Sequence, residues 1–226
     1  GSKVINDYKK NTNVNIKSNI KILSPKIKIE RFYQNEDPSE IISELIELSN
    51  PNLEEETIFI FPEGTLTSIN LNEKKIYKKM FKDNYSSKHK IILGINSTEK
   101  SKVFNSLVVL DNNTNILAKY NKNDLVPFGE FLPFENLLSK LGIKKITGGY
   151  QSFSADKTRK ILNINDLKFL PLICYEIIYS GRLNKGNNEY DFIINISEDG
   201  WFGNSIGPYQ HFSHSIFRSI EEGKNL

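Results

Sequence analysis

The chain has 226 residues, 38% hydrophobic and 25% charged, a balance that excludes a disordered chain and suits one large domain or two small ones. Its net charge is only +3, with Lys and Glu interleaved, which argues against a dedicated nucleic-acid surface. One cysteine cannot form an intrachain disulfide, no window approaches 18 apolar residues, and no signal-peptide pattern is present.

Gly1-Ser2 resembles an expression-cloning scar, and residues 1–19 read as a polar, Lys- and Asn-rich lead-in. Residues 20–226 then read as one domain, with no internal repeat and no linker. Ile20 to Leu23 is a first strand. Asp37-Pro38-Ser39-Glu40 supplies an N-cap, a proline at the first helical position and a Glu three residues after the cap. Ile41, Ile42, Leu45, Ile46 and Leu48 recur at helical spacing, so 38–49 is predicted as an amphipathic helix. Thr57 to Phe61 is an apolar run of strand length, halted by Pro62 and followed by Glu63-Gly64. Lys90–Ile95 and Phe104–Leu110 are further strands, and Asp111 to Thr114 is a hairpin-type turn. Asn115–Tyr120 returns as a strand and delivers Lys122 at its end.

Residues 126–133, with two prolines and a glycine, form a shaped loop, 134–141 is a short helix, and Gly148-Gly149 breaks the chain. Ile161–Ile164 is a short strand. Phe169–Ile173 is an apolar strand that ends on Cys174, with a sharp turn into Tyr175 and Glu176. Asp191–Ser197 is another buried strand, ending in Glu198-Asp199-Gly200-Trp201-Phe202-Gly203, and a helical pattern runs from Pro208 through Glu222. Helices on both sides of apolar strands define an α/β layered domain.

Glu63, Lys122 and Cys174 each follow a predicted buried strand. Strand ends of one sheet converge on one pocket even when about 50 residues apart in sequence. The types suit thiol nucleophilic catalysis: Cys174 attacks, a carboxylate takes its proton, and an ammonium steadies developing negative charge and the thiolate. Singly, each has a plainer reading: a small buried hydrophobe, a helix cap and a solvated lysine.

Taken together, Phe61-Pro62-Glu63-Gly64, Lys119-Tyr120-Asn121-Lys122 and Leu172-Ile173-Cys174-Tyr175-Glu176 resemble the three signatures of the nitrilase (carbon–nitrogen hydrolase) superfamily. The run from Lys122 to Pro133 and Asp199-Gly200-Trp201-Phe202-Gly203, with Pro208, Gln210 and His211 after it, resemble the apolipoprotein N-acyltransferases within that superfamily. The resemblance implies an α-β-β-α sandwich and a Glu-Lys-Cys set without metal or cofactor. It makes Glu63 the general base, Lys122 the oxyanion-stabilising cation and Cys174 the nucleophile, with Glu130, Tyr175, Glu176 and Trp201 in supporting or substrate-binding roles. It implies a phospholipid acyl donor, a thioester on Cys174 and a diacylglyceryl apolipoprotein as acceptor, on the periplasmic face of a bacterial inner membrane. It further implies attachment through membrane segments outside this chain and truncation at the C-terminus. The chain departs from that pattern at Ser24-Pro25-Lys26, Tyr33 and Glu198, where the family carries Gln-Pro-Asn, Trp and Asn.

A nitrilase-fold amidase acting on a small amide would use the same three residues; the loop around Phe128-Gly129-Glu130 and the Trp201 motif favour the acyltransferase. A non-catalytic binding domain has no chemical need for all three. His211 and His214 lie three apart on a predicted helix, a spacing compatible with metal ligation, but with no Cys or carboxylate cluster beside them metal ligation is set aside, and His211 is read as making structural hydrogen bonds near the Trp201 loop. Lys74-Lys75 and Lys78-Lys79 read as a solvated basic face, with anionic lipid headgroups as the alternative partner.

Overall fold

The computed structural model describes residues 17–25, 37–73, 75–131, 152–184 and 189–226. Residues 1–16, the expected helix at 134–141 and the glycine pair at 148–149 lie outside the described residues, as do Lys26 and Tyr33.

Strand β2, Thr57–Ile60, shows how the layers arise. Side chains alternate across a strand, and here both faces are covered. Phe59 joins a cluster with Ile41, Leu45, Tyr77 and Phe81, whereas Ile58 joins Ile173, Ile194 and Ile196 of a second sheet. The central strands β4 (His89–Glu99) and β5 (Lys102–Leu110) divide in the same way. Ile91, Leu93, Val108 and Leu110 face the helices, and Ile92, Leu107 and Val109 face the other sheet. Burial on both faces is why these strands read as continuous apolar runs.

The first sheet has the order β1-β2-β4-β5-β6, with β1 at Asn19–Ile22 and β6 at Ile116–Asn121. Strand β3, Leu66–Asn70, pairs with β4 beyond the β2 rungs. β1, β2 and β4 run parallel, and β4, β5 and β6 antiparallel. The second sheet is β7-β8-β9, at Leu162–Ile164, Leu167–Ile173 and Phe192–Ile196, with β8 and β9 parallel.

Helix α1, Pro38–Ser49, begins as the sequence predicts: the Asp37 carboxylate accepts the Ser39 N–H at 2.8 Å. It buries Ile41, Ile42 and Leu45 against the first sheet. Helix α2, Lys75–Asn84, packs beside it through Tyr77 and Phe81, while Lys78 and Lys79 face solvent. On the far side, Leu170, Leu172 and Ile193 of the second sheet pack on Ile177 and Leu183. Ile177 belongs to a 3-10 turn, Cys174–Ile178, which in turn contacts helix α3, Gly207–Glu222. The four layers form the α-β-β-α sandwich that the sequence resemblance implies, in a single α/β domain.

Helix α3 is inverted relative to an ordinary surface helix. His211, Ser215 and Arg218 are its buried residues, while Tyr209, Phe212, Ile216, Phe217 and Ile220 are exposed.

One glycine fixes where the first sheet meets the site. A Cβ on Gly94 would lie 2.6 Å from Glu63 Cα and 2.7 Å from Gly64 N, both backbone atoms. Gly94→Ala is expected to push the Glu63 segment off its position. Because a displacement of about 1 Å costs about 10²-fold in rate, turnover should fall by that order while secondary structure persists. Activity measured beside circular dichroism checks it; a variant with full activity contradicts it.

Candidate active site

Four strand ends meet at one place. β2 leads through Pro62 to Glu63, β6 ends beside Lys122, β8 ends at Cys174, and β9 leads to Ser197 and Glu198. The structure brings Glu63, Lys122, Cys174 and Glu130 together. Lys122 is 1% exposed, and its ammonium donates to Glu130 Oε1 at 3.0 Å and to Glu63 Oε1 at 3.2 Å. An ammonium so deeply buried is tolerable only when paired. Burial alone would lower its pKa, but the charges of Glu63 and Glu130 outweigh burial and raise it, so Lys122 is a fixed cation.

Asn105, a residue the sequence reading passed over, joins the two carboxylates. Its side-chain amide donates to Glu63 Oε1 at 2.7 Å and to Glu130 Oε1 at 2.9 Å. Its carbonyl accepts the Lys122 N–H at 2.9 Å, extending the β5–β6 pairing to the lysine. The available signal was a polar side chain within the apolar run of β5. Glu130 is anchored through its other oxygen, which accepts the Val126 N–H at 2.9 Å. Glu63 Oε2 accepts the Glu198 N–H at 3.3 Å, so the Glu63 segment is tied to the end of β9.

Cys174 is partly buried and carries φ = +51°, a left-handed conformation that costs a non-glycine residue about 1–2 kcal/mol. The Glu63 and Ser197 side chains and the Lys122 ammonium are the groups that act on its thiol. Burial, followed by the Glu63 charge, pushes the thiol pKa up, while Lys122 opposes that rise. At rest Cys174 is therefore a thiol beside a carboxylate, an arrangement chemically able to form a thiolate by passing its proton to that neighbour.

Glu176 is turned away from this pocket. It is fully buried, and its Oε1 accepts Tyr120 Oη (2.6 Å), Asn123 N (2.9 Å), Asp124 N (3.1 Å) and Arg159 Nη2 (3.0 Å). Its Oε2 accepts the Ile173 N–H at 2.9 Å. Glu176 thus ties the Cys174 turn to the loop after Lys122. Glu176→Ala would leave Arg159 without its buried partner. The expected cost is about 3–5 kcal/mol, a Tm lower by about 10 °C, which thermal denaturation measures. Tyr175, partly buried, packs edge-on against Tyr179 with ring centroids 5.5 Å apart. Trp201 sits on a 3-10 turn, Asp199–Phe202, and is 39% exposed.

Cys174, Asp199 and His211 present a thiol sulfur, a carboxylate oxygen and a ring nitrogen within 4.8 Å of one another. His211 Nδ1 is bonded to Asp199 Oδ1 at 2.7 Å and Nε2 to the Cys174 carbonyl at 3.1 Å. Both nitrogens are engaged with protein oxygens, and neither is directed at the thiol. The fold thus supplies the cysteine and carboxylate beside His211 that local sequence does not show, and these bonds make the set a hydrogen-bonded chain.

A four-layer sandwich with Glu, Lys and Cys at converging strand ends defines a class, and the chain belongs to the carbon–nitrogen hydrolase family: that family's model matches residues 43–224. Within it, the chain is 33% identical over 216 residues to the apolipoprotein N-acyltransferase of Wigglesworthia glossinidia brevipalpis, covering 92% of this chain and 42% of the relative. It is 43% identical over 129 residues to that of Rhodopseudomonas palustris, covering 56% of this chain and 24% of the relative. The chain thus spans less than half the length of each. Among solved structures, the fold resembles a carbon–nitrogen hydrolase from Helicobacter pylori (TM-score 0.57, 13% identity, 91% of this chain and 68% of that one). It also resembles a Xanthomonas campestris CN-hydrolase superfamily protein with an arsenic adduct in the active site (TM-score 0.55, 15% identity, 82% and 67%).

Proposed function

We propose that this domain catalyses N-acylation of apolipoproteins through a thioester on Cys174. The observation that carries the reading is the single buried array of Glu63, Lys122, Glu130 and Cys174 in a chain related to apolipoprotein N-acyltransferases along 92% of its length.

Glu63 takes the thiol proton as Sγ attacks the ester carbonyl of a phospholipid. The tetrahedral oxyanion is steadied by the Lys122 ammonium, whose place is fixed by Glu130 and Asn105. Collapse breaks the ester C–O bond, and the departing lysophospholipid oxygen takes the proton back from Glu63. The α-amino group of a diacylglyceryl-cysteine then attacks the thioester, Glu63 accepts the amine proton, and the Cys174 thiolate leaves. No cofactor enters this sequence. Glu176 holds the turn, and Tyr175 and Trp201 offer aromatic surface near the nucleophile.

An exposed apolar surface supports acyl-bearing substrates. Trp201, Phe202, Tyr209, Phe212, Ile216 and Phe217 face solvent on the 3-10 turn and helix whose His211 touches Cys174. No helix among the described residues is long and apolar enough to cross a membrane. The reading places the domain on the periplasmic face of a bacterial inner membrane, held there by segments outside this chain.

Two assays separate this reading from a small-amide hydrolase of the same fold. Acyl transfer from detergent-dispersed phospholipid to a diacylglyceryl lipopeptide is expected, and hydrolysis of short amides is not; the reverse pattern overturns the proposal. Glu63→Gln cannot accept the thiol proton and should slow thioester formation by about 10²–10⁴-fold, read by acyl-enzyme accumulation in a single turnover.

A further inference from the structure

Helix α3 buries polar groups and exposes apolar ones, and its buried groups have a common target. His211 Nε2 meets the Cys174 carbonyl at 3.1 Å, and Arg218, two helical turns on, donates to the Ile178 carbonyl at 3.2 Å. The helix therefore grips both ends of the 3-10 turn that begins at the nucleophile. Cys174 needs such a grip, because its left-handed φ persists only where the surroundings over-determine it. Glu176 holds the residue before it, and His211 holds the carbonyl of Cys174 itself.

The donor and acceptor count fixes the form of the imidazole. A backbone carbonyl only accepts, so Nε2 must carry a hydrogen. An ionised Asp199 also only accepts, and its Oδ1 already takes the Ser197 hydroxyl at 2.7 Å, so Nδ1 must carry one too. Either neutral tautomer would set a nitrogen lone pair against an oxygen, an uncompensated clash for a side chain only 7% exposed.

We infer that His211 is a positioning residue: an imidazolium, tethered by Asp199, that clamps the Cys174 carbonyl and places a positive charge within 4.8 Å of a ligand-capable atom of Cys174, its Sγ. The charged and titratable groups around it are Asp199 on the preceding turn, Glu63 on the base segment and the Cys174 thiol, with Lys122 on the far side of that thiol. The hydrogen bond to Asp199, against the opposing effect of burial, raises the His211 pKa above its ordinary 6.5; the Asp199 and Glu63 charges and the Cys174 carbonyl add to the rise. Asp199 is lowered from 3.8, because its bonds to His211 and Ser197 outweigh the burial that would raise it. A raised base contributes stability fully present below 6.5 and lost as pH rises through its folded value; a lowered acid contributes stability present above 3.8 and lost as pH falls through its folded value. The clamp is thus closed across the mildly acidic range and opens as His211 deprotonates.

This inference uses the proposed role of Cys174 as nucleophile but not the identity of either substrate, and its tests need neither. Imidazole 15N NMR on the unmodified chain, with its three histidines, reads the first point. Both nitrogens of His211 should be protonated at about pH 6, below the ordinary imidazole value, and a neutral ring there overturns the inference. Iodoacetamide alkylation reads the second, since Cys174 is the only cysteine. His211→Gln keeps an N–H for the carbonyl but has no proton to lose, so the step in alkylation rate that accompanies His211 deprotonation should vanish from the pH profile. A uniform drop in rate with an unmoved profile would mark His211 as packing alone. Asp199→Asn should lower the pH at which His211 loses its second proton; an unchanged titration contradicts the tether. If a variant fails to fold, the NMR result on the unmodified chain still decides.

Discussion

Cys174→Ser is expected to abolish acyl transfer, by about 10⁴-fold or more, while the fold survives. Serine is nearly isosteric, accepts the same left-handed φ at comparable cost, and leaves the His211 and Glu176 bonds to the backbone of the turn in place. Its hydroxyl is far harder to ionise than a thiol, and Glu63 at this site is placed to take a thiol proton, not to generate an alkoxide. The check is a paired measurement: thermal denaturation near that of the parent, with no acyl-enzyme and no acylated lipopeptide. Near-normal turnover of the serine variant would exclude the thioester route.

The second large effect is expected at Lys122. Methionine there fills similar space but removes the cation that pairs with both Glu63 and Glu130, leaving two carboxylates on one Asn105 amide. Breaking a buried pair from one side costs about 3–5 kcal/mol, so the Tm should fall by about 10 °C. Both half-reactions pass through an anionic tetrahedral intermediate, and each should slow by about 10²–10³-fold. Thioester formation and its discharge onto a lipopeptide amine are measured separately. Acyl-enzyme formed at the parent rate would exclude an oxyanion role in the first step.

The parts of this structure that could be read in advance are those where local and tertiary demands coincide. β2, β4, β5, β8 and β9 are apolar on both faces because they lie between two covering layers, so their runs stand out. Asp37 and Pro38 mark the start of α1 through local capping alone. Helix α2 was hidden because two aromatic side chains, Tyr77 and Phe81, carry its buried face amid lysines, and the lysines were read as a surface cluster. Helix α3 was legible as a helix but not in orientation: its polar face is inward because the nucleophile turn offers carbonyls there. At the site, strand ends located Glu63, Lys122 and Cys174. Asn105, Arg159 and Gly94 depend on approaches between segments far apart in sequence, and local pattern carries no record of those. His211 was expected to make hydrogen bonds near the Trp201 loop, and its bond to Asp199 lies there; its hold on the Cys174 carbonyl came from the fold.

The central claim is that Cys174 is acylated by a phospholipid. Intact-protein mass spectrometry after incubation with phospholipid in detergent micelles tests it most directly. A mass increase of one acyl group is expected, removed by neutral hydroxylamine, mapped to Cys174 and lost in Cys174→Ser. An unmodified mass under conditions where the chain is folded and Cys174 alkylates readily would contradict it.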